Sequence, residues 1–363
     1  MASPTLAICT GPQSNLQGRI VPDTDDGYSS SNPLDSEDES LYTASVSSSI
    51  RAYREENGRT YSSFKEGSYL FPNDETENDR LDMQHAVFLR SLGGKLCLAP
   101  IPKDVQDVLD IGTGTGLWAL DFADEYPSAQ VTGTDLSPIQ PSYVPPNLSF
   151  LVDDAEAEWR FRDKFDFIHG RMLTGSLGDW DNFYRQCYDN LKPGAYLEMQ
   201  DTQLPLGCDD GTMPPTTALA QWSSNMIEAC KKLNRPFHDI GSSHKAHMEA
   251  AGFVDVVEVE HKWPMNTWPK DEELKQLGAW TMVNMLQGLA AFSLAPSTRG
   301  LGWEREKLER FLVDVRKDVR DRKIHTYWLR SQQFSNKFTN SITRTPDDPR
   351  FFRHICSQPM NEL

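Results

Sequence analysis

The 363-residue sequence has no apolar run approaching the ~18 residues of a membrane-spanning helix, so no transmembrane segment is expected. It is short of positive charge: 36 Lys and Arg stand against 53 Asp and Glu, a formal net charge of −17. That balance disfavours an extended nucleic-acid or anionic-membrane surface, because either partner would be repelled at long range. The first residues, MASPTLAICTGPQSN, lack a basic segment followed by a continuous apolar one, and no secretory signal is read there. Cys9, Cys97, Cys187, Cys208, Cys230 and Cys356 are scattered without a C-x-x-C pair. This predicts reduced structural thiols in an intracellular, cytoplasmic protein, with neither a metal site nor a disulfide framework.

What is present is a chain, 38% hydrophobic, long enough to bury a large core without staples. Residues 1–50 stand apart, with 11 Ser, 7 Asp or Glu and one basic residue, Arg19; they read as a disordered acidic tail. From about residue 76 helix and strand patterns alternate, as in an α/β sheet. Apolar runs at 105–112, 130–135, 148–154, 164–171 and 195–201 predict strands, with two more at 253–263 and 323–330. Leu81, His85, Phe88, Leu89 and Leu92 mark a first helix face, and residues 116–127 predict a second helix closed by Pro127. Trp180, Phe183, Tyr184, Cys187 and Leu191 mark a third, stopped at Lys192, Pro193 and Gly194. A further stripe runs through Leu219, Trp222, Met226, Cys230 and Leu233, and helical stretches follow at 271–292 and 303–322. The expected organisation is one domain over 51–334, its helical insertion at about 264–322 forming a lid or substrate wall, and an unassigned extension at 335–363.

The strongest signal is Asp110-Ile111-Gly112-Thr113-Gly114-Thr115-Gly116, where a strand hands over to a helix. Glycines suit a backbone that must turn sharply and let a ligand approach without a Cβ, and the helix start offers unpaired N–H groups. A tight structural turn is the alternative reading. A dinucleotide-binding G-x-G-x-x-G pattern would need Gly at 117, where Leu stands. Asp135 ends the second strand, where a carboxylate can accept both hydroxyls of a ribose. Asp154 and Ala155 close the third, and His169 and Arg171 the fourth. Either Asp could instead cap a turn. His169 is a candidate general base, or a histidine bonded to a neighbouring loop; Arg171 could pair with a substrate carboxylate or a surface acid.

The D-x-G-x-G-x-G spacing resembles motif I of class I S-adenosylmethionine-dependent methyltransferases. The resemblance extends to fungal LaeA-like methyltransferases through Glu56–Tyr61, Phe71–Asp82, Leu136–Pro141, Leu191–Ala195 and Ser293–Pro296, covering about residues 53–330. It implies a Rossmann-like sheet of seven mostly parallel strands, helices on both faces, and a last strand that is antiparallel. It also implies S-adenosylmethionine as cofactor, held by Asp110 at its ammonium, by Gly112, Thr113, Gly114 and Gly116, by Asp135 and Leu136, and near the adenine by Asp154 and Ala155. The family implies one of two roles: a tailoring enzyme methylating a small-molecule intermediate of fungal secondary metabolism, or a nuclear regulator of gene clusters joined to velvet-domain proteins. The basic pairs Lys231-Lys232 and Arg316-Lys317 are isolated and favour the former. Methyl transfer asks mainly for proximity in a dry pocket, so the lack of a Ser/His/Asp or metal constellation is consistent with it.

Overall fold

The computed structural model describes residues 53–65, 69–237 and 240–338. The expected tail at 1–50 and the extension beyond 338 lie outside the described residues; positions 335–337 of that extension belong to the last strand. A hairpin of β1 (Arg54–Glu56) and β2 (Arg59–Tyr61) precedes helix α1 (Glu75–Ser91). Strands β3 (Asp107–Ile111), β4 (Gln130–Asp135), β5 (Leu148–Val152), β6 (Phe165–Arg171), β7 (Leu191–Cys208), β8 (Phe253–Pro264) and β9 (Thr326–Lys337) form one sheet. Its order is β5-β4-β3-β6-β7-β9-β8. β3 to β7 run parallel, and β9 lies antiparallel between β7 and β8. This is a Rossmann-like sheet with the expected seven strands, and its order reverses between β3 and β6, where open α/β sheets bind ligands.

Alternation along the strands buries both faces. Val108 of β3 and Phe167 of β6 pack with Trp118, Ala119 and Phe122 of α2 (Leu117–Glu125). Leu109 and Ile168, one residue on, pack with Phe183, Tyr184 and Cys187 of α3 (Trp180–Asn190) on the other face. Each such side chain contributes roughly 1.5–3 kcal/mol by leaving water. The third core joins α4 (Ala218–Lys232), α6 (Glu272–Ala295) and α7 (Arg305–Arg320) to α1 and the far end of the sheet, through Phe88, Trp222, Leu289, Leu312 and Trp328. α6, a π-helical turn (Pro296–Gly300) and α7 fill the connection between β8 and β9.

Three local expectations are corrected. The Lys192-Pro193-Gly194 stop does not separate helix from strand. β7 already begins at Leu191, and the three residues sit in an irregularity of the β6–β7 register between Phe165 and Phe167. α5 (Ile240–Ala251) and the β1–β2 hairpin have no counterpart in the sequence reading. β9 starts three residues later than expected and runs on to Lys337.

The segments that carried the family resemblance meet in space. Asp74 caps α1 by accepting from the Glu77 N–H at 3.1 Å and pairs with Arg59 of β2. The buried Asn73 amide donates to the Ser137 hydroxyl at 3.2 Å, and Ser62 donates to the Leu136 carbonyl at 3.0 Å. The entry segment is thereby pinned to the loop after β4, which positions α1 over the carboxyl ends of the central strands.

Candidate active site

The turn after β3 is built on left-handed glycines. Gly112 has φ +65° and Gly116, the residue capping α2, has φ +87°. An added Cβ would meet Leu173 Cδ2 at 2.5 Å in the first case and the Phe150 ring at 2.5 Å in the second. Gly112, Thr113, Gly114 and Thr115 thus line a cleft, the two glycines presenting bare backbone to it. Its walls continue through Asp135, Leu136, Asp153, Asp154, Ala155, Arg171 and Met172.

Asp135 Oδ2 accepts from the Gly114 N–H and Oδ1 from the Ser137 N–H, both at 2.9 Å. Each carboxylate oxygen keeps a lone pair for a ligand hydroxyl. Burial pushes the carboxyl up to about 6, against the pull of those two N–H groups. Asp154 both lines the cleft and caps a turn: Oδ1 accepts from the Glu156 N–H at 3.0 Å, and Lys65 Nζ lies 3.4 Å from Oδ2. Thr113, Leu136 and Ala155 also border the cleft, whereas Gly116 lies behind it as the α2 cap.

Besides Gly116, two expected site residues are placed outside the cleft. Asp110 is 2% exposed, and both its oxygens are engaged beneath the loop. Oδ2 accepts from the Thr113 hydroxyl at 2.5 Å, and Oδ1 lies 2.7 Å from His169 Nδ1. The carboxylate therefore braces the glycine loop from below and does not border the cleft where the ammonium was expected. His169 is fully buried and stacks on Trp118 with ring centroids 3.7 Å apart. It borders neither the cleft nor the adjoining chamber, so the general-base expectation is withdrawn.

The sequence reading missed Tyr69, Leu81 and Gln84 from the entry segment and α1, and Met172, all of which border the cleft. Met172 holds a left-handed φ of +57°, which no residue type announces, and its N–H donates to the Gln200 carbonyl at 2.9 Å. Gln84 carried a signal, being polar on the buried stripe of α1 that includes Val87 and Phe88. Arg171 turns inward. Both terminal nitrogens lie 3.1 Å from His85 Nδ1, and the guanidinium sits 4.8 Å over the Phe88 ring. His85 Nε2 is 2.8 Å from Asp121, so Nδ1 accepts from Arg171 while Nε2–H donates to the acid. Burial lowers the guanidinium to about 10, with Asp110 and Asp121 opposing. Among the described residues no carboxylate lies within ion-pair distance of it.

Tyr69, Leu81, Gln84 and Met172 also border a second cavity behind the cleft. It is enclosed between the sheet (Thr202, Leu204, Trp263, Trp328) and helices α1, α4 and α6. Among the described residues no cluster of three or more His, Cys, Asp or Glu could hold a metal ion. Cys97, Cys187, Cys208 and Cys230 are free thiols, and no described helix is long and apolar enough to cross a membrane.

A bare-backbone loop at the strand-order reversal, facing a ribose-competent carboxylate and an enclosed second chamber, is the arrangement of a class I methyltransferase. A family described as a methyltransferase domain matches residues 83–259. The chain is 42% identical over 282 residues to the methyltransferase pytC of Aspergillus terreus, covering 77% of this chain and 87% of that one. It is 40% identical over 281 residues to the secondary metabolism regulator LAE1 of Cochliobolus heterostrophus (75% and 91% covered). To the secondary metabolism regulator laeA of Aspergillus fumigatus it is 36% identical over 276 residues (75% and 74%). The chain belongs to the fungal LaeA-like family of class I S-adenosylmethionine-dependent methyltransferases. Its cofactor is S-adenosylmethionine, and the cleft fits it: Gly112 has no room for a Cβ beside Leu173, Asp135 has free acceptor capacity, and among the described residues no carboxylate lies within ion-pair distance of Arg171.

Proposed function

We propose that this methyltransferase acts in the cytoplasm on a small-molecule intermediate of fungal secondary metabolism. The observation that carries this is the enclosed chamber sharing Tyr69, Leu81, Gln84 and Met172 with the cofactor cleft. A compact acceptor suits a space walled by three helices and a sheet. In this reading Gly112, Thr113 and Gly114 carry the cofactor's amino-acid end, and Arg171, oriented by His85 and Asp121, takes its carboxylate. Asp135 accepts the ribose hydroxyls beside Leu136, Asp154 and Ala155 border the adenine, and Asp110 and Gly116 shape the loop. Bound there, S-adenosylmethionine supplies a methyl group on a cationic sulfur. The protein contributes alignment and an apolar wall.

A second reading, a nuclear regulator working with a velvet-domain partner, draws on LAE1 and laeA being named regulators. Deletion in the producing fungus separates the two. A single accumulating precursor that lacks a methyl group is expected; broad loss of several metabolite classes would favour the regulator.

The Asp135 carboxyl gives the cofactor site a pH signature. Folding raises this pKa, so the ionised form costs stability that is absent below about pH 4 and complete above about pH 6. Ribose hydroxyls donate to the ionised form. Affinity for S-adenosylhomocysteine, measured by calorimetry, is therefore expected to be level above about pH 7 and to fall by up to ~10-fold per unit below about pH 6. Asp135→Asn should bind weakly and lose this dependence; an unchanged pH profile in that variant would remove Asp135 from the site.

A further inference from the structure

We propose that the methyl acceptor is a flat apolar molecule whose attacking oxygen is already ionised, an enolate or acidic phenolate, and that the chamber takes it without a protein base. This rests on the small-molecule reading and names its substrate class.

The shape comes from the walls. Phe71, Trp222, Phe237, Trp263, Phe292 and Trp328 surround the space with aromatic surface, which favours a planar ring system. The charge comes from what the chamber leaves unpaired. Glu77 and Arg80 are the charged residues on its wall, and they neutralise each other: Glu77 Oε1 accepts from Arg80 Nε at 2.9 Å and Nη2 at 2.7 Å. Arg80 Nη1 donates to Asn284 at 3.2 Å, and its guanidinium lies 4.7 Å over Phe292. Among the described residues no histidine borders the chamber or the cleft. A neutral hydroxyl would thus have to release its proton into an apolar enclosure, which is costly.

An oxyanion avoids that cost and is attracted to the donor's sulfonium in a low dielectric, whereas an ammonium acceptor would be repelled. Its lone pair forms the O–CH₃ bond while the pair of the S–CH₃ bond returns to sulfur. Anion and sulfonium become two neutral products, and no proton moves. Donors to hold the oxygen are in place. Thr174, 2% exposed, borders the chamber, and its buried hydroxyl has no hydrogen-bond partner among the described residues. Its position is fixed by its own N–H, which donates to Asp201 Oδ1 at 3.0 Å. Tyr69 stands at the junction with the cleft, where burial beside Asp135 holds its hydroxyl well above the usual phenol range, so it remains a donor.

The test uses the full chain with saturating S-adenosylmethionine and two probe acceptors: 4-hydroxycoumarin, ionised at neutral pH, and 2-naphthol, neutral there. Between about pH 7 and 9, kcat/KM for 4-hydroxycoumarin should stay level while that for 2-naphthol climbs about 10-fold per unit, following its own ionisation. A common inflection with both acceptors would reveal a protein base and overturn the proposal. Transfer to neither probe, with S-adenosylhomocysteine still bound, overturns the acceptor class and leaves the methyltransferase reading standing; failure to bind S-adenosylhomocysteine would instead strike that reading. Thr174→Val in the S-adenosylhomocysteine complex should weaken 4-hydroxycoumarin binding about 10-fold with cofactor affinity unchanged. Equal acceptor affinity in that variant would exclude Thr174 as the donor and overturn its part in the site.

Discussion

Asp110→Ala is expected to lower the stability of the fold by about 3–5 kcal/mol, an effect on folding before any on cofactor affinity. The carboxylate lies 2% exposed between β3 and the start of α2, and it is the partner of two groups with no alternative. Its removal strands the Thr113 hydroxyl and the His169 Nδ1 in an apolar core beside Trp118 and Phe167. His169 Nε2 already has no partner, so the ring would be left without a hydrogen bond. Each stranded group costs roughly 1–3 kcal/mol, and the vacated volume adds to it. Urea denaturation monitored by tryptophan fluorescence reads the loss. Asp110→Asn, which keeps the shape and an acceptor oxygen, should recover part of it. An Asp110→Ala protein as stable as the parent but unable to bind S-adenosylhomocysteine would return Asp110 to the cleft.

The strand alternation that locates Asp110 was legible before any coordinates. Leu109 and Ile111 face α3, so Asp110 between them faces α2 with Val108; a motif match alone places every acid near the ligand. The same alternation sends His169 to the side of Phe167 and the α2 core. The strands themselves were readable because both faces of β3 and β6 are covered, which leaves a continuous apolar run. α5 was not, because much of its burial is through His244, which bonds Tyr184 at 2.6 Å and Asp201 at 3.1 Å, so an apolar count sees only a polar stretch with Met248. The chamber was least legible of all. Trp222, Trp263 and Trp328 come from three elements far apart in sequence, and their convergence depends on packing α4 against the far edge of the sheet.

Arg171→Met is expected to weaken S-adenosylhomocysteine binding by about 1.5–3 kcal/mol, while in the ligand-free protein the relief of a buried charge offsets the loss of the donor to His85 Nδ1. In the free protein the guanidinium is desolvated, its terminal nitrogens on His85 Nδ1 and its face over the Phe88 ring. Burial pulls its pKa down to about 10, so keeping it charged already costs folding energy. A ligand carboxylate converts that cost into a charge-assisted bond, and the Asp121–His85 pair fixes the direction in which the nitrogens point. Methionine keeps an unbranched apolar stem that can pack on Phe88 and removes the charge. The discriminating ligand is 5′-methylthioadenosine, which has the adenosine and sulfur but no amino-acid group. Its affinity should be the same in both proteins, whereas a merely structural role for Arg171 would weaken both ligands alike. His85→Gln should lie between, since it loosens the guanidinium without deleting it.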